Sequence, residues 1–165
     1  MLHHALRAVV DAAAQCMFDR MKSGHRFILV DGHSVIHAWD DLRKLHMRSE
    51  KRHLAREELL KRMRLLQDMS GERVVVIFDG TSTKITDERE DDGIQIFYAD
   101  TSHTADSIIE RLVAKYGELH PMRVVTADRM IWETVRAFGA HWMSPDDLSF
   151  ELDKAERELR GRLKQ

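Results

Sequence analysis

Three apolar runs of this chain carry an aspartate at or near their end. Residues 26–31 close on Asp31, residues 73–80 place Asp79 ahead of Gly80, and residues 122–128 close on Asp128. A fourth acid, Asp106, follows Thr104 at the start of an amphipathic stretch, and Glu110 lies one turn further along the same face. In a parallel sheet every strand delivers its carboxyl end to one edge, where open α/β folds place their ligands. The spacing therefore directs four or five carboxylates to one rim. Taken singly, Asp79-Gly80 suits a turn, Asp106 suits a helix N-terminus and Asp128 suits a helix cap. Taken together they repel one another unless a cation or protons are shared. Hard carboxylate oxygens with no cysteine partner favour Mg2+ or Mn2+. Such a centre activates water and neutralises charge on a phosphoryl oxygen.

The elements that must position these acids are legible as alternation. Apolar runs at 26–31, 73–78, 94–98 and 122–128, with a weaker one at 140–143, read as strands. Near-continuous Val and Ile runs mean strands covered on both faces, as in a parallel sheet. The segments at about 50–69, 104–117 and 129–138 carry helical spacing, which predicts a layered α/β domain with right-handed crossovers. Ser144-Pro145-Asp146-Asp147 is a helix start, with Leu148, Leu152, Ala155 and Leu159 on one apolar face of the helix that follows. Residues 2–22 place Leu2, Leu6, Val9, Ala13 and Met17 at helical spacing and predict an amphipathic N-terminal helix, with residues 1–25 as a unit of their own. Residues 80–93, rich in Asp and Glu, read as a solvated polar loop.

A chain of 165 residues that is 43% hydrophobic and 33% charged builds one packed domain and has no room for two. No run reaches the ~18 apolar residues a membrane helix needs. The single Cys16 leaves no internal disulfide or Cys-rich zinc site and fits a reducing compartment, hence a cytoplasmic location. Other phosphate chemistries fit poorly. There is neither a G-x-x-x-x-G-K-[ST] loop nor a G-x-G-x-x-G fingerprint. An aspartyl-nucleophile phosphatase needs a second Asp two residues after the first, where this chain has His33.

The net charge of −2 makes any contact with nucleic acid a local matter. One segment qualifies: residues 43–64 hold nine Arg and Lys against Glu50, Glu57 and Glu58, a local charge of +6. Arg43, Lys44, Arg48, Lys51 and Arg52 lead this cluster, and phosphate backbones bind such clusters through counterion release. His37, His46 and His53 are too far apart in sequence to read as a ligand pair and are taken as surface residues. His33, next to the first Asp-Gly, is the one histidine placed at the rim. Trp39 suits the core better than a base-stacking role.

The ordered motifs Leu29-Val30-Asp31-Gly32-His33-Ser34, Phe78-Asp79-Gly80, Thr104-Ala105-Asp106 and Val125-Thr126-Ala127-Asp128 resemble the YacP-like proteins of the NYN branch of the PIN-like nuclease superfamily. Gly139-Ala140 and Met143-Ser144 continue the likeness. Two departures stand out: His33 and Ser34 replace the family's usual Tyr and Asn, and His103 stands where an acid often precedes T-A-D. The resemblance implies a three-layer α/β/α PIN-like (NYN) domain over residues 26–165, with a mainly parallel central sheet of about five strands. It further implies an Mg2+- or Mn2+-dependent endoribonuclease that cleaves single-stranded RNA with metal-activated water. Asp31, Asp79, Asp106 and Asp128 would form the catalytic set, with Asp31, Asp106 and Asp128 as metal ligands and Asp79 completing or supporting the shell. Ser34, His33 and Thr126 would position substrate. RNA, free or on the ribosome, is the implied partner, with no membrane. Two other readings remain at this point: an RNA- or ribosome-binding module without catalysis, and a small-molecule phosphohydrolase.

Overall fold

The computed structural model describes residues 24–80, 93–101 and 103–165, the backbone of 86–89, and the isolated residues Ala8, Asp11, Ala12 and Gln15. Its centre is a six-stranded sheet built from β1 (Phe27–Asp31), β2 (Arg73–Phe78), β3 (Thr86–Arg89), β4 (Gln95–Tyr98), β5 (Met122–Val125) and β6 (His141–Met143). Their spatial order is β3-β4-β2-β1-β5-β6. Five strands run parallel, and β3 joins β4 antiparallel at one edge. The helices are α1 (Gly32–Ala38), α2 (Asp40–Met47), α3 (Arg52–Ser70), α4 (Ala105–Tyr116), α5 (Arg129–Ala137) and α6 (Pro145–Leu163).

Strand β1 shows why the apolar runs are continuous. All five of its residues are buried. Phe27 and Leu29 point to one face, where they join Ile108, Leu112 and Val113 of α4 and Ile131 and Val135 of α5. Ile28 and Val30 point to the other, among Val35 and Ile36 of α1, Leu42 of α2, Leu59 and Met63 of α3, and Leu148 of α6. Each such fully buried side chain contributes roughly 1.5–3 kcal/mol of transfer free energy. The two clusters are the outer seams of a three-layer α/β/α sandwich. Trp39 belongs to the second; its indole donates to the Pro145 carbonyl at 2.9 Å.

The strands and the helices after residue 50 lie where the periodicity puts them. The start of α6 is a capping box, with Ser144 accepting from the Asp147 amide and the Asp147 carboxylate accepting from the Ser144 amide. Two features differ from expectation. The chain forms two helices between Gly32 and Met47, a stretch with no predicted element, because Asp31 caps the first and both bury apolar residues against α3. The stretch read as a polar loop contains strand β3, which pairs with β4 through its backbone from Thr86↔Tyr98 to Arg89↔Gln95. The N-terminal helix expected over residues 2–22 falls almost wholly outside the described residues. Ala8, Asp11, Ala12 and Gln15 are helical, and the Asp11 carboxylate lies 3.3 Å from Lys115 Nζ. Among the described residues no helix is long and apolar enough to cross a membrane.

Candidate active site

Strands β1, β2 and β4 succeed one another outward on one side of β1, and the chain then returns to lay β5 on the other side. The point where β1 and β5 diverge is a topological switch, the place where open α/β sheets form a crevice. Asp31, the last residue of β1, sits at this point. It is 6% exposed, and its carboxylate is held by donors on both oxygens. Oδ1 accepts the Ser34 amide at 3.3 Å, which caps α1, and Oδ2 accepts the Ser34 hydroxyl at 2.9 Å. Thr126, at the end of β5, donates its hydroxyl to the same Oδ2 at 3.3 Å. Thr126 Oγ1 in turn accepts the Asp128 amide at 3.1 Å, and Trp142 of β6 pins the Thr126 carbonyl at 3.0 Å. Gly32 leaves room for the buried Phe78 ring, which a Cβ at that position would approach to 2.3 Å.

Asp79 leaves the end of β2 and is fixed differently. Its Oδ1 accepts the Ala105 amide in the first turn of α4 at 2.8 Å, and its own amide donates to His33 Nδ1 at 3.3 Å. Asp128 caps α5 through the Met130 amide at 2.9 Å. Asp31, Asp79, Asp106 and Asp128 then line one open cleft of about 760 Å³, together with His33, Ser34 and His37. Glu110 does not join them; it accepts from Thr134 Oγ1 of α5 at 3.5 Å.

Asp106 feels this convergence most. Its pKa is pushed up to about 7, first by burial and then by the Asp31 and Asp128 carboxylates, each near enough to share a hydrogen bond with it. Three acids that can be accommodated only by retaining a proton form a site short of positive charge. Among the described residues no three or more His, Cys, Asp or Glu side chains are placed as a ready-made metal site. An open carboxylate rim nonetheless fits a hard cation such as Mg2+, which binds through one or two carboxylates and keeps several waters.

A pH dependence follows for the protein in chelator. The unfolded chain releases the Asp106 proton near pH 4, whereas the folded chain holds it to about pH 7. Between those values the native state binds more protons, so stability falls as pH rises and the loss is complete above pH 7. Thermal melts from pH 5 to pH 8 should show this decline. Asp106→Asn, neutral throughout, should flatten it; an unchanged slope in that variant would assign the effect to another group.

The basic residues divide into two sets. Arg43 pairs with Asp40, and Arg62 pairs with Asp41 and Glu58. Lys44, Arg48, Lys51 and Arg52 have no ion pair among the described residues, and neither does Arg56, which lies over the Phe78 ring at 5.7 Å. The structure also gathers histidines that sequence separation kept apart. The ring centroids of His33 and His37 are 6.3 Å apart, and His46 approaches them at 5.9 and 5.1 Å. The four-residue spacing of His33 and His37 on one helix face was the available signal; the arrival of His46 from α2 is tertiary. His53 is exposed and outside this group of rings. Ser34 and Thr126, expected to position substrate, direct their hydroxyls onto Asp31.

Comparison with known proteins agrees with this fold. The family model for the YacP-like NYN domain matches residues 28–165. The chain is 28% identical over 139 residues to the protein YacP of Bacillus subtilis (strain 168), covering 83% of this chain and 81% of that one. The crystal structure of Rae1 (YacP) from Bacillus subtilis superposes with a TM-score of 0.68 at 26% identity, covering 84% of this chain and 79% of that chain. A variant of Rae1 with one tryptophan changed to leucine gives 0.70 at 27% identity, covering 84% and 80%.

Proposed function

The chain belongs to the YacP-like NYN domain family, and from that premise we propose that it is an endoribonuclease, dependent on Mg2+ or Mn2+, that cleaves phosphodiester bonds of single-stranded RNA. The family's nuclease-like, PIN-related fold supports RNA chemistry in general. The observation that carries the specific reading is the convergence of Asp31, Asp106 and Asp128 on one cleft, with Asp106 driven to keep its proton.

Asp31, Asp106 and Asp128 would hold the cation, which when bound supplies an acidified water as nucleophile and neutralises charge on the phosphoryl oxygens. The chain's own residues prepare this. Ser34 and Thr126 fix the Asp31 rotamer by hydrogen bonds to Oδ2, leaving the direction of its remaining lone pairs set before anything binds. Thr126 also ties the Asp128 backbone to Asp31, so the ligands from β1 and β5 keep a constant separation. Asp79, anchored on the Ala105 amide, locks the N-terminus of α4 and hence the position of Asp106. His33 approaches the Asp79 carboxylate at 3.6 Å; burial lowers its pKa, with Asp79 opposing, so it stays a neutral hydrogen-bonding group near pH 7.

The test is cleavage of a labelled single-stranded RNA by the purified protein. Activity should be lost in chelator and return with Mn2+ or Mg2+. If no divalent ion supports cleavage, with the protein alone or with ribosomes, the chain is an RNA- or ribosome-binding module on a nuclease-like fold.

A further inference from the structure

We propose that His46 and Arg56, together with His33, His37 and Arg52, form a binding subsite for an RNA backbone phosphate next to the one cleaved at the carboxylates. The location relative to the scissile bond rests on the ribonuclease reading; the binding does not. His33 and His37 stand one turn apart on α1 and line the carboxylate cleft, and His46 of α2 closes the group from the side with ring centroids 5.9 and 5.1 Å away. Arg56 reaches the same place from α3. It lies over the Phe78 ring at 5.7 Å, and His33 packs against that same ring at 5.8 Å. The charges of Arg52 and Arg56 both bear on His46, after burial and the other two imidazoles, in holding its pKa down.

The donor chemistry selects an anion. Two guanidinium groups beside the imidazoles disfavour a cation. His46 Nδ1 and Arg56 Nε are buried without a hydrogen-bond partner, and neither Arg52 nor Arg56 has an ion pair among the described residues. A guanidinium fork beside imidazole N–H groups matches a phosphodiester, which accepts several hydrogen bonds on two oxygens. Arg43 and Arg62, by contrast, already meet Asp40, Asp41 and Glu58. Within the +6 segment Arg43 and Arg62 are thus neutralised by carboxylates, whereas Arg52 and Arg56 carry no ion pair among the described residues and bear on the histidines beside the cleft.

The experiment measures binding of a short labelled single-stranded RNA by fluorescence anisotropy in chelator, where nothing turns over. Arg56→Gln should weaken binding by about tenfold and reduce the log–log salt slope by about 0.7, the value for one lost single-strand phosphate contact. His46→Gln should weaken binding several-fold, Arg56→Lys should retain most of it, and Arg160→Gln, at an exposed arginine of α6 paired with Glu156 and outside the cluster, should stay within twofold. Circular dichroism melts accompany each variant. Binding and salt slope unchanged in both Arg56→Gln and His46→Gln would overturn the proposal. So would a loss in Arg160→Gln as large as that in Arg56→Gln, or no RNA binding by the wild type. Absence of cleavage with metal would sink the ribonuclease reading alone, because these measurements need no catalysis.

Discussion

Asp31→Asn is expected to lower RNA cleavage at least about a thousandfold, ~4 kcal/mol of transition-state stabilisation, while the melting temperature stays close to that of the wild type. The reason lies in what surrounds the carboxylate. Oδ1 faces a fixed donor, the Ser34 amide, and Oδ2 faces two hydroxyls, from Ser34 and Thr126. An asparagine oxygen takes the place of Oδ1 and keeps the helix cap. Its NH2 then faces hydroxyls, which can rotate from donor to acceptor. The fold therefore tolerates the change, and what disappears is the negative charge that the proposed metal centre needs. Asp31→Ala, which also removes the cap of α1, should cost about 1 kcal/mol of stability in addition. Cleavage assays and thermal melts on the two variants separate the effects. Near-wild-type cleavage by Asp31→Asn would show that Asp31 is not a metal ligand.

Gly80→Ala is expected to damage fold and site together. A Cβ at residue 80 would lie 1.9 Å from the Ala99 carbonyl oxygen and 3.1 Å from its carbon. The obstacle is backbone, held in place where the Ala99 amide donates to Phe78 at 2.8 Å just beyond the paired ends of β2 and β4. No rotamer change relieves it, so the two strand ends must part. We expect a loss of about 3 kcal/mol, the upper end for overpacking, and a melting temperature lower by about 10 °C. Asp79 adjoins this point and fixes the first turn of α4 through the Ala105 amide, so Asp106 should shift as well and cleavage should fall more than the stability loss alone explains. A Gly80→Ala protein that melts like the wild type would mean that the β2 and β4 ends separate at little cost.

The parts of this site that sequence reveals are those encoded by local pattern. Asp31 and Asp79 stand out because continuous apolar runs announce buried parallel strands and the acids close those runs. Asp106 and Asp128 stand out because a cap and an amphipathic period mark the helices they begin. Strand β3 escapes because Thr86-Asp87-Glu88-Arg89 has no apolar alternation; its pairing with β4 uses the backbone, which every residue shares. The histidine cluster escapes because its members come from two helices in a stretch without a predicted element. Ser34 and Thr126 were identifiable as site residues but not in their orientation, since only the register of β1 against β5 brings both hydroxyls to one oxygen of Asp31.

The same register has a consequence for biosynthesis. The Thr126 hydroxyl reaches Asp31 across 95 residues of sequence, whereas the Asp79 anchor on Ala105 spans 26. Contacts of such separation carry the larger loop-closure cost and form late. In a chain emerging from the ribosome β2 and β4 are made before β5, so β1 can pair with β2, and β2 with β4, while the other edge of β1 stays open until β5 is made. Until Asp128 has been made the carboxylate set is incomplete, so on the ribonuclease reading proposed above an unfinished copy would be inactive.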